Sequence, residues 1–293
     1  MLTTVEFEKP YDGALSLALG FFDGVHLGHR TLFEKIHEFC KSSGTIPAVS
    51  TFSDMATRKQ IIYSYRDRKR MFEELGLQVC IALNFNKIKH LSGNEFFYVL
   101  VHTYNIKHIV CGEDYTFGCD HCDVETLREL CNEYGITFVV MPMLVYKGVC
   151  VSSTNIRALL RAGDVDLAKK LLKVPYHVSG EVVSGDGRGR NIGIPTANID
   201  LPRGGMEIKH GVYGTYTELD GKLYRSVTNY GPRPTFLQSK FAIETNILGE
   251  NFDSLRGKII TVYFHRFIRG VSKYLSEKLL IATIKKDQQW EDL

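Results

Sequence analysis

Two histidines at an expected strand–helix junction are the first residues of this chain that could do chemistry. The segment Gly20–Arg30 is GFFDGVHLGHR, and it leaves an apolar run to enter residues of helical period. Glycines let a backbone approach a phosphate closely, and a helix N-terminus offers free N–H groups at the positive end of its dipole. His26 and His29 could donate hydrogen bonds to phosphoryl oxygens as negative charge develops in a displacement. Two histidines near a turn can also be plain surface residues, so this string needs support from elsewhere.

A second polar string offers a phosphate clamp. Val151–Arg157 is VSSTNIR, which places three hydroxyls at an expected helix start and the guanidinium of Arg157 one turn later. The alternative is an ordinary Ser/Thr cap followed by a surface arginine. Because the string occurs together with the two histidines, we favour the clamp.

A third string, rich in glycine, lies in the second half of the chain. Residues 185–198 are GDGRGRNIGIPTAN, a loop able to wrap a polyphosphate, in which Pro195 stiffens the turn. Thr196 and Asn198, two apart on an extended segment, would point the same way and offer neutral oxygens to a hard cation. A lone glycine-rich loop in a β protein is more often a hairpin. The string therefore depends on its context.

The first half of the chain must position the histidine string. Short apolar runs alternate there with residues of helical period, and this predicts a parallel, doubly wound sheet that binds ligands at the carboxyl ends of its strands. The predicted strands are 16–22, 46–52, 79–83, 108–111 and 137–141, and the predicted helices cover 32–40, 67–75, 94–104, 124–134, 154–162 and 165–172.

The second half has a different pattern. Short β-rich runs at 178–184, 211–218, 223–230, 242–248 and 258–267 are separated by glycines, which predicts an antiparallel barrel or sandwich. An amphipathic helix is expected over about 274–285. The helical pattern ends at Lys173-Val-Pro-Tyr176, so we place the domain boundary there and expect domains 1–173 and 174–293.

Composition excludes several classes of protein. The 293 residues carry 36 basic and 33 acidic side chains, a net charge of +3, so no large uniform field is available for nucleic acid. The longest apolar runs are far shorter than the ~20 residues of a membrane span, and the N-terminus lacks a signal-peptide pattern. Seven cysteines without framework spacing are typical of reduced thiols. We expect a cytoplasmic enzyme, a monomer or weak homo-oligomer, with no nucleic-acid or membrane partner.

The three strings together resemble a known family. Gly20–His29 resembles the ATP-binding signature of the nucleotidylyltransferase superfamily, in the variant seen in bacterial bifunctional riboflavin kinase/FMN adenylyltransferases. Val151–Arg157 resembles that superfamily's Ser-Ser-Thr-x-Ile-Arg motif, and Gly193–Asn198 resembles the riboflavin kinase fingerprint built on Pro-Thr-Ala-Asn. The resemblance implies an α/β plus β architecture: a Rossmann-like nucleotidylyltransferase domain, then a six-stranded antiparallel β-barrel kinase domain with a C-terminal helix.

The resemblance also implies an activity. ATP, with Mg²⁺ as cofactor, would phosphorylate riboflavin to FMN in the C-terminal domain and adenylylate FMN to FAD, with release of pyrophosphate, in the N-terminal domain. Glu244, on an expected strand, would be the general base at the riboflavin 5′-hydroxyl. The other implied catalytic residues are His26, His29 and Arg157, and the implied metal ligands are Thr196 and Asn198. The implied nucleotide-binding residues are Gly20, Phe21, Phe22, Gly24, Gly28, Ser152, Ser153, Thr154, Gly185, Gly187, Gly189, Gly193 and Asn229.

The flavin would be bound by Asp114, Tyr115, Phe117 and Arg269. The first three belong to a loop after an expected strand, which could equally be a structural turn. Several neighbours depart from the family pattern: Asp54-Met-Ala56 replaces a Pro-His-Pro turn, Thr116 replaces an arginine, Asn246 replaces a histidine, and Gly270-Val271 replaces an acidic residue. The first two changes lie on the expected FMN side, so they predict adenylyl transfer weaker than phosphorylation.

Two alternatives stay open at this point. One is a riboflavin kinase with weak or lost adenylyltransferase activity, and the other is a non-catalytic flavin-responsive binding or regulatory protein. The intact Glu244 argues against the second, because a sensor has no need of a base aimed at a hydroxyl. Cys119 and Cys122, with His121 between them, suggest zinc, but a structural zinc site needs four ligands and no second pair is evident. We expect free thiols there.

Overall fold

The computed structural model describes residues 1–54, 60–185, 189, 192–200, 205–232, 241–249, 252 and 255–291. The chain forms two compact units, Met1–Ser153 and Thr154–Leu293. The predicted domain boundary after Lys173 lies within the second of these units, and it stays a prediction. Within the described ranges, no helix is long and apolar enough to cross a membrane.

The first unit is built on a six-stranded sheet. Its strands are β1 (Thr3–Glu6), β2 (Tyr11–Leu19), β3 (Ile46–Phe52), β4 (Val79–Leu83), β5 (Tyr104–Gly112) and β6 (Thr137–Met141). Their order in space is β1-β4-β3-β2-β5-β6, and every neighbouring pair runs parallel. The predicted parallel, doubly wound sheet is confirmed. A small hairpin of β7 (Val145–Tyr146) and β8 (Val149–Cys150) follows.

Helices connect these strands and cover the sheet. They are α1 (Leu27–Ser43), α2 (Tyr65–Glu74), α3 (Phe85–Ile88), α4 (Gly93–Thr103) and α5 (Val124–Glu133). Leu32, Phe33 and Ile36 of α1 are buried, and their spacing places them on one face of the helix. The helix ends at Gly44, whose left-handed φ of 71° lets its N–H reach the carbonyl of Cys40 at 2.9 Å.

The strand order creates a crevice beside β2. The chain goes from β2 through α1 to β3 on one side of it, and later reaches β5 on its other side. Ligands of doubly wound sheets bind at the carboxyl ends of strands where the order reverses in this way. The loop after β2 carries the histidine string, and the loop after β5 carries Asp114. The topology therefore brings the predicted nucleotide loop and the predicted flavin loop to one crevice.

The second unit contains a closed antiparallel barrel. Its strands are β9 (Tyr176–Val183), β10 (Ala197–Ile199), β11 (Gly211–Leu219), β12 (Lys222–Pro232), β13 (Phe241–Ile247) and β14 (Ile259–Arg269), ordered β10-β13-β12-β11-β14-β9. This confirms the six-stranded barrel implied by the family resemblance. The sequence pattern predicted five of its strands and missed the three-residue β10, which is too short to have a period.

Five buried hydroxyls form a closed ring in the barrel interior. The ring runs through Thr215, Ser226, Thr217, Thr245 and Thr228, with oxygen–oxygen distances of 2.8 to 3.3 Å. Each side chain is fully buried. A hydroxyl has one O–H to donate, so five bonds use each donor once and leave none unpaired. Because the five belong to β11, β12 and β13, the ring holds these strands in register.

The C-terminal helix α8 (Glu277–Asp287) ends in contacts to three barrel strands. Asp287 accepts hydrogen bonds from Arg269 on β14, the shortest at 2.7 Å, and Gln288 donates to Asn246 on β13 at 2.9 Å. The indole N–H of Trp290 donates to the carbonyl of Ser226 on β12, also at 2.9 Å. These bonds fix the end of the chain to the strands that carry the second predicted site.

The helices before the barrel also belong to this unit. They are α6 (Ser153–Ala162) and α7 (Val165–Leu172), and α7 packs against β14 and β9. Four residues of α7 are fully buried: Val165, Ala168, Leu171 and Leu172. The backbone N–H of Lys209 donates to the carbonyl of Leu160 in α6 at 3.0 Å.

This packing predicts that a fragment starting at Thr154 is more stable than one starting at Val174. Removing α7 exposes the barrel surface that it covers and forfeits about 2 kcal/mol for each of its three buried Val and Leu residues, roughly 6 kcal/mol at most. Urea unfolding of the two fragments measures the difference. Equal unfolding free energies would contradict a structural role for α6 and α7 in this unit.

Candidate active sites

The loop that leaves β2 is tightly folded. Phe22 and Val25 have left-handed φ angles of 53° and 44°, and Gly24 has a φ of 93°. The left-handed conformation is strained for Val25, because its side chain is β-branched. A Cβ at Gly20 would lie 2.9 Å from the ring of Phe22, so glycine is required for this approach. Backbone strain of this kind concentrates at ligand sites.

The two histidines stand together at the N-terminus of α1. The Nδ1 atom of His26 caps the helix by accepting the backbone N–H of His29 at 3.3 Å, and the two rings stack with centroids 3.5 Å apart. A Cβ at Gly28 would lie 3.3 Å from the same Nδ1, so a small residue is favoured there. The structure therefore places both predicted histidines where a helix dipole attracts anions.

The surroundings of His29 favour its neutral form. Burial is the main cause that lowers its pKa well below the usual value, and electrostatic interactions with His26 and Arg68 lower it further. Its Nδ1 atom is buried and has no hydrogen-bond partner among the residues that the structure describes. A neutral imidazole carries one N–H, so His29 can act as a hydrogen-bond donor without adding a charge.

The hydroxyl string begins where the β7–β8 hairpin leads into α6. Ser153 Oγ donates to the carbonyl of Asp23 at 2.6 Å, so this serine is tied to the loop after β2. Ser152, just before it, is half-buried. Thr154 and Arg157 lie in the second unit, where the guanidinium donates to the threonine hydroxyl over 3.4 Å. The contact of Arg157 with phosphate stays a prediction.

The predicted flavin loop follows β5. Asp114 is exposed and Tyr115 is half-buried. Phe117, two residues after Tyr115, is only 6% exposed and packs in the core of the unit. The rings of Tyr115 and Phe117 are nearly parallel, with centroids 6.0 Å apart. Phe117 is thus placed behind the tyrosine, and the surface available to a ligand is that of Asp114 and Tyr115.

The cysteine loop is tied to the start of α4. The backbone N–H of Cys119 donates to the carbonyl of Leu91 at 2.8 Å, and Asp120 accepts the N–H of Gly93 at 2.8 Å. Cys119 Sγ also donates to the carbonyl of His90 at 3.5 Å. Within the described part of the chain, no group of three or more His, Cys, Asp or Glu side chains is arranged to hold a metal ion.

The altered turn after β3 has a local explanation at its first residue. The carboxylate of Asp54 accepts the backbone N–H of Phe85 at 2.7 Å and the side-chain amide of Asn86 at 3.5 Å. It therefore binds the start of α3, which accounts for an acidic residue there. Residues 55–59 lie outside the described residues. Thr116, the other departure on this side, is exposed.

Arg68 is a residue of this site that the sequence analysis missed. It lies in the run YRDRKR at the start of α2, which has the composition of an exposed helix surface. Arg68 is only 2% exposed, and its guanidinium lies between the ends of β2 and β3. Met71 and Phe72, three and four residues later, are apolar and buried, and this spacing places Arg68 on the same face of the helix. That spacing was the sequence feature that could have predicted the burial of Arg68.

In the second unit, three predicted residues form one row across the barrel. Asn198 on β10 is paired with Glu244 on β13, and Glu244 is paired with Asn229 on β12. Residues paired directly across antiparallel strands point to the same face, with side chains about 5 Å apart. All three are half-buried. The structure therefore brings the proposed base between two amides.

The glycine-rich loop lies against the proposed metal ligands. A Cβ at Gly185 would lie 2.1 Å from the amide of Asn198, and a Cβ at Gly189 would lie 3.3 Å from the hydroxyl of Thr196. Only glycine permits these approaches. Gly193 has a left-handed φ of 74°, and Gly187 lies outside the described residues. Thr196 and Asn198 supply neutral oxygens in a glycine-lined cradle, a donor set that fits Mg²⁺ together with phosphates.

Asn246, a departure from the family pattern, connects this loop to the C-terminal helix. It is 6% exposed; its amide donates to the carbonyl of Pro195 at 2.7 Å and accepts from Gln288 at 2.9 Å. Pro195 directly precedes Thr196. Asn246 therefore fixes the loop that carries both candidate metal ligands.

This arrangement predicts that Asn246→Ala slows the reaction at the Glu244 site by about ten- to a hundredfold, because small misplacements of catalytic groups cost rates of that order. Gln288→Ala breaks only one of the two bonds and should have a smaller effect. Gln289→Ala, on an exposed neighbour, is the control. Steady-state kinetics of the three variants measures the ranking, and parent-like turnover of Asn246→Ala would refute the positioning role.

Arg269, predicted to bind flavin, has a structural partner. Its guanidinium donates to both carboxylate oxygens of Asp287, at distances of 2.7 to 3.1 Å, and it lies 5.6 Å from the ring of Tyr274. The pair is partly buried and holds the end of α8. A contact of Arg269 with flavin stays a prediction.

Two family models match this chain in the order that the fold displays. The model described as FAD synthetase matches residues 8–155, and the model described as riboflavin kinase matches residues 172–291. Bifunctional riboflavin kinase/FMN adenylyltransferases from Bacillus subtilis (strain 168) and Escherichia coli (strain K12) are 33% and 32% identical to it. The matches cover 93% of this chain and 90% of the first relative, and 96% and 92% for the second.

A solved structure is similar over the same extent. It is a crystal structure described as a macrolide-efflux protein from Streptococcus pneumoniae, with 30% sequence identity and a TM-score of 0.85 over 98% of this chain and 99% of that one. The family matches support the bifunctional interpretation and neither of its alternatives, the weakened adenylyltransferase or the flavin sensor. With both halves matched over nearly their whole length, the chain belongs to the bifunctional riboflavin kinase/FMN adenylyltransferase family.

Proposed function

We propose that the row Asn198–Glu244–Asn229 is the phosphorylation site of this riboflavin kinase/FMN adenylyltransferase, with Glu244 as its general base. The observation that carries the proposal is the strand register, which sets the carboxylate between two amides and beside the glycine-rich loop. Glu244 takes the proton of the riboflavin 5′-hydroxyl while the hydroxyl oxygen attacks the γ-phosphorus of ATP. The bond to the β–γ bridging oxygen breaks, giving FMN and ADP.

The cofactor of this site is proposed to be Mg²⁺, held by Thr196 and Asn198. When bound, it would neutralise charge on the phosphates of ATP. The chain's own contribution is positional: Gly185 and Gly189 let the backbone lie close to these two side chains. The loop is fixed through Pro195 by Asn246.

The second half-reaction is assigned to the N-terminus of α1. A phosphate oxygen of FMN attacks the α-phosphorus of ATP, the α–β bridging bond breaks, and pyrophosphate leaves with FAD as the other product. His26, His29 and the free N–H groups of the helix start donate hydrogen bonds to the phosphoryl oxygens. Arg157 is proposed as a further donor to the same phosphates, and Asp114 and Tyr115 as contacts of the flavin.

We propose a cytoplasmic protein, because seven cysteines without framework spacing are typical of reduced thiols, and one without nucleic-acid partners, because a net charge of +3 provides no large uniform field. We expect a monomer or a weak homo-oligomer.

Separating flavins by chromatography tests the proposed function. The protein is incubated with riboflavin, ATP and Mg²⁺, and in parallel with FMN, ATP and Mg²⁺. FMN followed by FAD in the first reaction, and FAD in the second, are the expected products. FMN without FAD would contradict the adenylyl-transfer assignment, and unchanged riboflavin would contradict the kinase assignment.

A further inference from the structure

The guanidinium of Arg68 is surrounded by neutral acceptors at the ends of two neighbouring strands. Its Nη1 atom donates to the carbonyl of Phe21, just after β2, at 2.9 Å, and to the hydroxyl of Thr51 at the end of β3. Its Nη2 atom donates to the carbonyl of Phe52 at 2.8 Å. The hydroxyl of Thr51 in turn donates to the same carbonyl of Phe21 at 2.7 Å. Two bonds therefore converge on the carbonyl of Phe21 in the nucleotide loop, and two more connect Arg68 to the end of β3.

The charge of this buried group lacks a bonded counter-ion. Among the described residues, no carboxylate accepts a hydrogen bond from Arg68, and its Nε atom is buried without a partner. Residues 55–59, which follow β3, contain no acidic side chain in their sequence. Burying an unpaired guanidinium is costly, and such groups are retained where a functional site uses them.

The position of the group relates it to adenylyl transfer. Phe21 belongs to the loop whose next residues, through His26, form the helix start that faces the phosphates. Arg68 also lies close enough to His29 for its charge to lower the pKa of that imidazole. Asp23, a carboxylate that acts on Arg68 through space, uses its own Oδ1 to accept the backbone N–H groups of Ile62 and Tyr63 at 2.9 and 3.4 Å.

We propose that Arg68 is a positioning residue for adenylyl transfer, which fixes the nucleotide loop through the Phe21 carbonyl and adds a positive charge without a hydrogen-bonded counter-ion behind the triphosphate. This rests on the assignment of adenylyl transfer to the N-terminus of α1. The planar fork of arginine can bind the Phe21 and Phe52 carbonyls together, whereas a lysine keeps the charge but not this geometry. The two contributions can therefore be separated by substitution.

The test compares Arg68→Lys, Arg68→Met and the control Arg66→Met, which changes an exposed arginine of the same helix. FAD formation from FMN and ATP is measured as kcat and as KM for ATP, with riboflavin phosphorylation as an internal control. Arg68→Lys should lower kcat about ten- to a hundredfold with a small change in KM, because the loop loses its geometry but the charge remains. Arg68→Met should show that loss together with a raised KM for ATP. Arg66→Met should match the parent in both.

Specific results would overturn the proposal. Parent-like kcat and KM in Arg68→Lys and Arg68→Met would exclude the role, and so would equal losses in the Arg66 control. A fall in riboflavin phosphorylation that parallels the fall in FAD formation would mean a general loss of structure. If the parent protein itself makes no FAD from FMN and ATP, the assignment of adenylyl transfer fails; if the parent makes FAD and the Arg68 variants do too, only this inference fails.

Discussion

Replacing Glu244 by Gln should lower the rate of FMN formation by about 10²–10⁴-fold, the usual contribution of a general base. The amide keeps the shape of the side chain and its place between Asn198 and Asn229 in the strand register, but it cannot take the hydroxyl proton. FAD formation from added FMN should be little changed, because it is assigned to the other compact unit. Initial rates of both half-reactions, measured on the same preparation, check the prediction.

A matched control is available on the same barrel. Glu181→Gln makes the same chemical change on β9 at an exposed position and should leave both rates unaltered. If Glu244→Gln phosphorylates riboflavin at the parent rate, the carboxylate is not the base, and the row across the barrel has a different role.

Replacing His29 by Ala should lower FAD synthesis from FMN by about 10²–10³-fold, and mainly through kcat. A donor to a developing phosphoryl charge contributes more in the transition state than in the bound substrate, so its loss affects turnover more than binding. The His26 and His29 rings stack, so His29→Ala removes that ring contact, while the backbone N–H of residue 29 can still bond to the His26 imidazole. Arg157→Ala is expected to act in the same direction.

The control for this variant is His90→Ala, an exposed histidine of the same unit. It should leave FAD synthesis unchanged, and riboflavin phosphorylation should survive in both histidine variants. A raised KM for ATP with unchanged kcat in His29→Ala would mean that the imidazole binds the ground state only, against its proposed role.

Periodicity was enough to predict the parallel sheet of the first unit and the antiparallel β structure of the second, while the six-stranded barrel was implied by the family resemblance. The central strands of the first unit are buried on both faces and therefore read as continuous apolar runs, while their connecting helices repeat every three to four residues. The pattern missed β1, a short edge strand of mostly exposed residues, and α3, which is only one turn long. Segments of four residues have too few positions to establish a period. The predicted strand 16–22 also ran past its end at Leu19, because Phe21 and Phe22 are apolar residues of a loop.

Site residues could be predicted where they belong to a short continuous motif. They could not be predicted where distant segments of the chain form the site together. His26, His29 and Ser153 lie in strings that can be recognised in sequence, and the structure connects all three to one loop. Arg68 lies in a charged run, and its role depends on carbonyls 16 and 47 residues away in the chain. The link from Asn246 to Pro195 spans 51 residues in the same way. Contacts between distant segments follow from the topology, which a linear pattern does not contain.

Mixing the two impaired variants is the most direct measurement of the central claim, that one chain carries two independent sites. Glu244→Gln should phosphorylate riboflavin very slowly but should adenylylate FMN, and His29→Ala should do the reverse. With riboflavin, ATP and Mg²⁺, each variant alone should make little FAD. The mixture should make FAD at a rate well above the sum of the two, because FMN released by one variant is used by the other. No gain on mixing, with both variants folded and each active in its retained half-reaction, would contradict free exchange of FMN between independent sites. Glu244→Gln alone making FAD from riboflavin at the parent rate would contradict the kinase assignment.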